Sequence, residues 1–235
     1  MEITWFGAGC VRLRGREGTV AADAYRSVVG PTGRGLTADI ATYSHPDSQP
    51  VAQRGRTGAS PPGASNGHRG PPADVPRPTS LESAFPLERP GEFEVHDVLL
   101  TGVRTFRDEA QGASRGTNVC FVYELDGLHT IHLGDIGHVL TEEMVGEIGS
   151  VDVACVPIGG ALGAARAAEL VAQLDAHLVL PLVVSENESA GSAELGRFLH
   201  EMGASDTVPQ SKLVVTISSV PHESTVVVLE ARSKS

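Results

Sequence analysis

The chain has 235 residues, 40% hydrophobic and 20% charged, which suits a soluble globular protein with one sizeable core. Its formal net charge of -11 argues against nucleic acid or an anionic membrane surface as the main partner. No segment approaches the ~18 continuous apolar residues of a membrane span, and with aromatics at 4% the core must rest on Val, Leu, Ile and Ala.

In chain order, short apolar runs predict strands at Ile3 to Phe6, Cys10 to Arg14, Thr19 to Ala22 and Asp39 to Tyr43. Composition then shifts abruptly. From Gln53 to Ser80 there are six prolines, five glycines and four arginines against one acid, with almost no aliphatic residue. Such a stretch buries too little apolar surface to offset its ordering entropy, so 53–80 is expected to be a disordered insertion in a single domain spanning 1–235. Pro90 and Gly91 turn the chain into a strand through Val95. Further strands are expected at Val98 to Val103 and Val119 to Leu125, and after a turn at Gly127 at Leu128 to Leu133.

Thr141 is placed to cap a helix whose first turn holds Glu142 and Glu143. Val151 to Pro157 and His177 to Val184 are apolar strands flanking a helix at Ala164 to Leu174. Ser192 to Met202 predicts a helix capped by Ser192 and stopped at Gly203, and Leu213 to Ser218 and Thr225 to Glu230 close the chain as strands. Many strands first, then alternating strand and helix, suit two sheets packed face to face with helices outside. Cys10, Cys120 and Cys155 lie inside apolar stretches without Cys-x-x-Cys spacing, as buried free thiols do in a reducing compartment. No basic, apolar leader is visible, so the protein is expected to be cytoplasmic.

Two segments carry the chemistry. One apolar run ends in Ser44-His45-Pro46-Asp47-Ser48-Gln49-Pro50, and a distant one ends in His132-Leu133-Gly134-Asp135-Ile136-Gly137-His138. With Ile3 to Gly7, Pro90 to Val95, Thr101 to Val103, Arg115 to Asn118, Asp152 to Gly160 and Val179 to Pro181, their order and spacing resemble the metallo-β-lactamase fold superfamily. The similarity is greatest to the branch of L-ascorbate-6-phosphate lactonase and related Zn-dependent hydrolases. The resemblance implies an α/β (α+β) fold, a four-layer αββα sandwich. It also implies a site where two metal ions about 3.5–4 Å apart generate hydroxide from bound water.

In that family the first segment is written His-x-His-x-Asp-His, and the Asp of the second bridges the metals. Carried over position by position, His45 and Asp135 keep the family's residue. Asp47 stands at the second His, and Gln49 and Pro50 stand at the Asp-His pair. Arg107 stands at a His that precedes Asp108, Val183 at a final His and Ala8 at a His near the N-terminus. Zinc sites typically draw on roughly three or four protein ligands, so this set implies either no metal or one weakly bound Zn or Mn ion on His45, Asp47 and Asp135. Arg107 is a fixed cation without an acceptor lone pair, and it is expected to pair with Asp135 in place of the metal's charge.

The expected function is accordingly a non-catalytic or metal-free relative of these hydrolases, a binding or scaffold protein for a small-molecule ligand or a protein partner, with self-association left open. The alternative is a residual hydrolase of a small ester, lactone or phosphodiester, in which Asp135 and His138 carry the chemistry. His138 also has a plainer reading as a loop residue, His132 as a packed strand residue, and Asp23 and Tyr25 as structural turn residues.

Overall fold

The computed structural model describes residues 1–46, 77–185 and 188–232. Its strands are β1 (Glu2–Gly7), β2 (Cys10–Arg14), β3 (Thr19–Ala22), β4 (Ile40–Thr42), β5 (Phe85–Leu87), β6 (Gly91–Val95), β7 (Val98–Phe106), β8 (Thr117–Leu125), β9 (Leu128–His132), β10 (Val153–Ile158), β11 (Leu178–Val183), β12 (Leu213–Val214) and β13 (Thr225–Val226). The helices are α1 (Arg26–Val29), α2 (Glu142–Ile148), α3 (Ala164–Leu174) and α4 (Glu188–Glu201). One sheet runs β12-β1-β2-β3-β4-β5 and the other β13-β11-β10-β9-β8-β7-β6.

The two sheets face each other across a core of alternate side chains. Val119, Phe121, Tyr123 and Leu125 of β8, Val153 and Cys155 of β10, and Leu178, Leu180 and Leu182 of β11 meet Ile3, Val11, Leu13 and Val20 of the first sheet. The intervening residues, among them Cys120, Ala154, Val156 and Val179, point the other way, onto Leu170 and Val171 of α3 and Phe198 of α4. Both faces of the second sheet are therefore buried, which is why its central strands read as unbroken apolar runs. The first sheet's outer face is covered by Tyr25, Val29, Leu36 and Leu81. This makes the fourth layer of the αββα sandwich, thinner than its counterpart across the molecule.

Several expectations need adjusting. β5 lies at a sheet edge, where Pro86 removes no ladder hydrogen bond; three residues around a proline left no periodic signal. α1 is too short to show a helical period. α4 begins at Glu188, so Ser192 lies inside it. Gly191 lets the helix approach β11, since a Cβ there would stand 2.5 Å from the Val183 side chain. The last two strands are only two residues each, and Ile217–Ser219 is a 3-10 turn. Of the stretch 53–80, residues 53–76 lie outside the described residues. Thr79, in contrast, opens a 3-10 turn, donates its N–H to Pro31 O at 2.9 Å, and leads into the buried Leu81. Thr141 does cap α2, its Oγ1 accepting the Met144 N–H at 3.3 Å.

Candidate functional site

Strand ends from both sheets converge at one edge of the sandwich. Ser44 and His45 follow β4, Arg107 follows β7, Asp135 follows β9, and Gly159 and Gly160 follow β10. Asn118, fully buried near the start of β8, ties these ends together. Its Nδ2 donates to Thr105 Oγ1 at 2.7 Å and Leu133 O at 2.9 Å, and its Oδ1 accepts the Asp135 N–H at 3.0 Å. Gly134 turns the chain between β9 and Asp135 with φ +66. A Cβ there would stand 2.4 Å from Ser44 Cβ and 2.5 Å from Asn118 Oδ1, so only glycine fits.

Asp135 is nearly buried, and its charge is met by two arginines. Arg107 donates from Nε at 2.8 Å and approaches through Nη2 at 2.6 Å, both to Oδ2, and its Nη1 donates to Arg115 O at 3.3 Å. Arg115 Nη2 donates to the same Oδ2 at 3.0 Å. No hydrogen bond from the described residues reaches Oδ1, which faces Gly160, where a Cβ would come to 3.1 Å. The pairing of Arg107 with Asp135 is the one expected from the sequence. Arg115 was not anticipated, because it reaches Asp135 only through the fold of the loop that precedes it.

Across the site a second buried carboxylate is satisfied without a cation. Asp23 Oδ1 accepts the Ser44 N–H at 2.7 Å and Oδ2 accepts the Ser44 hydroxyl at 2.6 Å. Since the Ser44 proton goes to Asp23, the 2.7 Å contact between Ser44 Oγ and His45 Nδ1 must be donated by the imidazole. That fixes the Nδ1–H tautomer and leaves the Nε2 lone pair unengaged by the described residues. Burial pushes His45 below the ordinary histidine range; Arg107 adds to the effect, while Asp23 and Asp135 oppose it. Tyr25 clamps the same residue, its hydroxyl donating to His45 O and accepting the His45 N–H at 3.1 Å.

The remaining candidates are committed elsewhere. His138 accepts the Phe106 N–H on Nε2 at 3.0 Å and donates from Nδ1 to Val139 O at 2.7 Å, so both ring nitrogens serve the backbone. His132 donates from Nε2 to Gly9 O at 2.7 Å, and its Nδ1, without a hydrogen-bond partner among the described residues, lies 3.9 Å from Asp23 Oδ2. Asp108 accepts the N–H groups of Gly112, Ser114 and Arg115, at 2.9, 3.0 and 2.6 Å, and so shapes the loop that carries Arg115. Asp47, Gln49 and Pro50 lie outside the described residues. All three cysteines are free and buried, and burial pushes the Cys120 and Cys155 thiols up to about 12.

The family model for the β-lactamase superfamily domain matches residues 2–183. The chain belongs to that superfamily. A metal-dependent hydrolase from Methanoregula boonei is 24% identical over 90% of this chain and all of its own length. A solved structure from Thermotoga maritima, described as a Zn-dependent hydrolase of the metallo-β-lactamase superfamily, is 27% identical with a TM-score of 0.66, covering 97% of this chain and 98% of that one. An isothiocyanate hydrolase from Delia radicum gut bacteria, 14% identical with a TM-score of 0.57 over 92% of this chain and its full length, shares the fold.

The superfamily implies a divalent ion, and the donor set can be tested against it. Among the described residues, no group of three or more His, Cys, Asp or Glu side chains stands together to hold one. The Asp135 oxygen nearest the arginines is already the acceptor of two guanidinium groups, each repelling a divalent cation. The described residues therefore do not fit a metal centre. Among them, too, no helix is long and apolar enough to cross a membrane.

Proposed function

We propose that this protein is a metal-free member of the β-lactamase superfamily, acting in the cytoplasm as a binding protein rather than a hydrolase. The observation that carries the reading is Arg107, whose Nε and Nη2 both lie within 2.8 Å of Asp135 Oδ2. A nearly buried carboxylate without a counter-ion costs several kcal/mol, and a bound metal normally neutralises it in such a site. Here the chain supplies the positive charge itself, at a position where the resemblance expects a neutral ligand. Val183 and Ala8, apolar where that resemblance expects histidines, point the same way. Three buried free thiols suit a reducing compartment.

A second reading has one specific feature in its favour. Asp135 Oδ1 and His45 Nε2 are both left without hydrogen bonds from the described residues, and with Asp47 they would be the donors for one weakly held zinc or manganese ion. Such an ion would supply Lewis-acid activation of a small ester, lactone or phosphodiester.

Elemental mass spectrometry on untagged protein, purified without chelator and dialysed against trace zinc and manganese, separates the two. The expected result is well below one ion per chain. About one ion per chain, lost in Asp135→Ala, would establish the hydrolase reading instead.

A further inference from the structure

Two guanidinium groups share one carboxylate oxygen at Asp135, so neither arginine has that carboxylate to itself, in a chain whose net charge is -11. The two arginines are not equivalent. Arg107 is 15% exposed, and each of its three side-chain nitrogens has a partner within the site. Arg115 is 42% exposed and only its Nη2 is engaged, leaving the Nε–H and Nη1–H donors unused among the described residues.

We infer that Arg115 is the recognition element of an anion site, built over Asp135, for a ligand bearing a small oxyanion such as a carboxylate or phosphate. This deepens the metal-free reading and rests on it: where a family member would present metal cations to substrate oxygens, this chain presents a guanidinium fork. Guanidinium donors match planar or tetrahedral oxyanions with paired hydrogen bonds.

The Arg115 side chain is also held in place from its own backbone. Asp108 accepts the Arg115, Ser114 and Gly112 N–H groups, which fixes the loop, and Arg107 Nη1 donates to Arg115 O. Those backbone bonds hold the Asp108 carboxyl below its ordinary range and turn it into the loop rather than toward the Arg115 side chain. Glu109, the other nearby acid, pairs with Arg166. A groove of about 510 Å³ between α3 and α4 also carries cations, but there Arg166 pairs with Glu109 and Arg197 with Glu194, which leaves no unpaired positive charge of this kind.

The test uses the full chain, titrated with inorganic phosphate and with malonate against chloride at matched ionic strength, followed by melting temperature and calorimetry. Both oxyanions are expected to bind and to raise Tm where chloride does not. Arg115→Gln should weaken that binding at least tenfold, while Arg166→Gln leaves it unchanged. Equal response to phosphate, malonate and chloride would overturn the site, as would an Arg115→Gln protein of wild-type fold that binds as tightly as the parent. Metal analysis of the same samples keeps the two readings apart. Anion binding that follows a bound metal and vanishes with chelator overturns both. Metal-free protein that binds no oxyanion overturns only this inference.

Discussion

The site contains two buried carboxylates, and the chain satisfies them by opposite means. Asp23 is held by neutral donors alone, the N–H and hydroxyl of Ser44, and transmits that order to His45. Asp135 is held by charge, from Arg107 and Arg115, with one backbone anchor through Asn118. The neutral side needs only close packing and one hydroxyl. The charged side needs cations delivered from a loop, and a carboxylate stripped of them is left nearly dry. The difference shows which half of the site is held by internal charge and which half orients a histidine.

The largest effect should follow from removing Arg107. Arg107→Ala leaves Asp135 with only the half-exposed Arg115, which we expect to cost about 3 kcal/mol, or ~6–12 °C in Tm for a domain of this size. Pairing it with Asp135→Asn removes the stranded charge, so the double variant should recover most of the loss. A shift of a degree or less on thermal unfolding of Arg107→Ala would show that Arg107 does not take the metal's electrostatic place.

On the neutral side, Ser44→Ala should cost less, about 1–2 kcal/mol, because Asp23 keeps the backbone N–H of residue 44 and no charge is stranded without hydrogen bonds. Its sharper signature is in His45. Nitrogen-15 NMR of the wild type should show the Nδ1–H tautomer, and Ser44→Ala should lose that bias. If Ser44→Ala proves more damaging than Arg107→Ala, the contrast between the two halves is wrong.

Much of this was legible in the sequence, though unevenly. β2, β3 and α3 fall at the expected residues because alternation and helical spacing are strong there. β5, three residues around Pro86, was out of reach: so short a run carries no period, and tertiary packing alone holds it. β12 and β13 were expected where they begin, but at greater length than the two residues each one has. Arg107 opposite Asp135 was readable because a cation at a place where the resemblance expects a metal ligand needs an anion nearby. Arg115 was not, because the fold of a whole loop around Asp108 brings it there. Asp23 looked like a turn residue, and it is one, at φ +48; that same turn is what aims its carboxylate at Ser44.

The smallest expected effect concerns pH, and it isolates His45. Unfolded, the imidazole titrates near 6.5; folded, burial holds it lower, helped by Arg107, against the pull of Asp23 and Asp135. Between those two values the unfolded chain binds the extra proton, so acid favours unfolding. The stability contributed by neutral His45 is whole above pH 6.5 and drains away as pH falls through that value toward the folded one. A second loss, from a carboxylate, lies in a separate window. Asp126, lowered to about 2 by the Met1 ammonium and then by Arg16, gives up its contribution only as pH falls from its ordinary 3.8 toward 2. His45→Gln should therefore flatten the first decline, immediately below pH 6.5, and leave the second intact. An unchanged Tm profile in that first window would mean that His45 is free to take a proton in the folded state, and that Ser44 and Asp23 do not lock its tautomer.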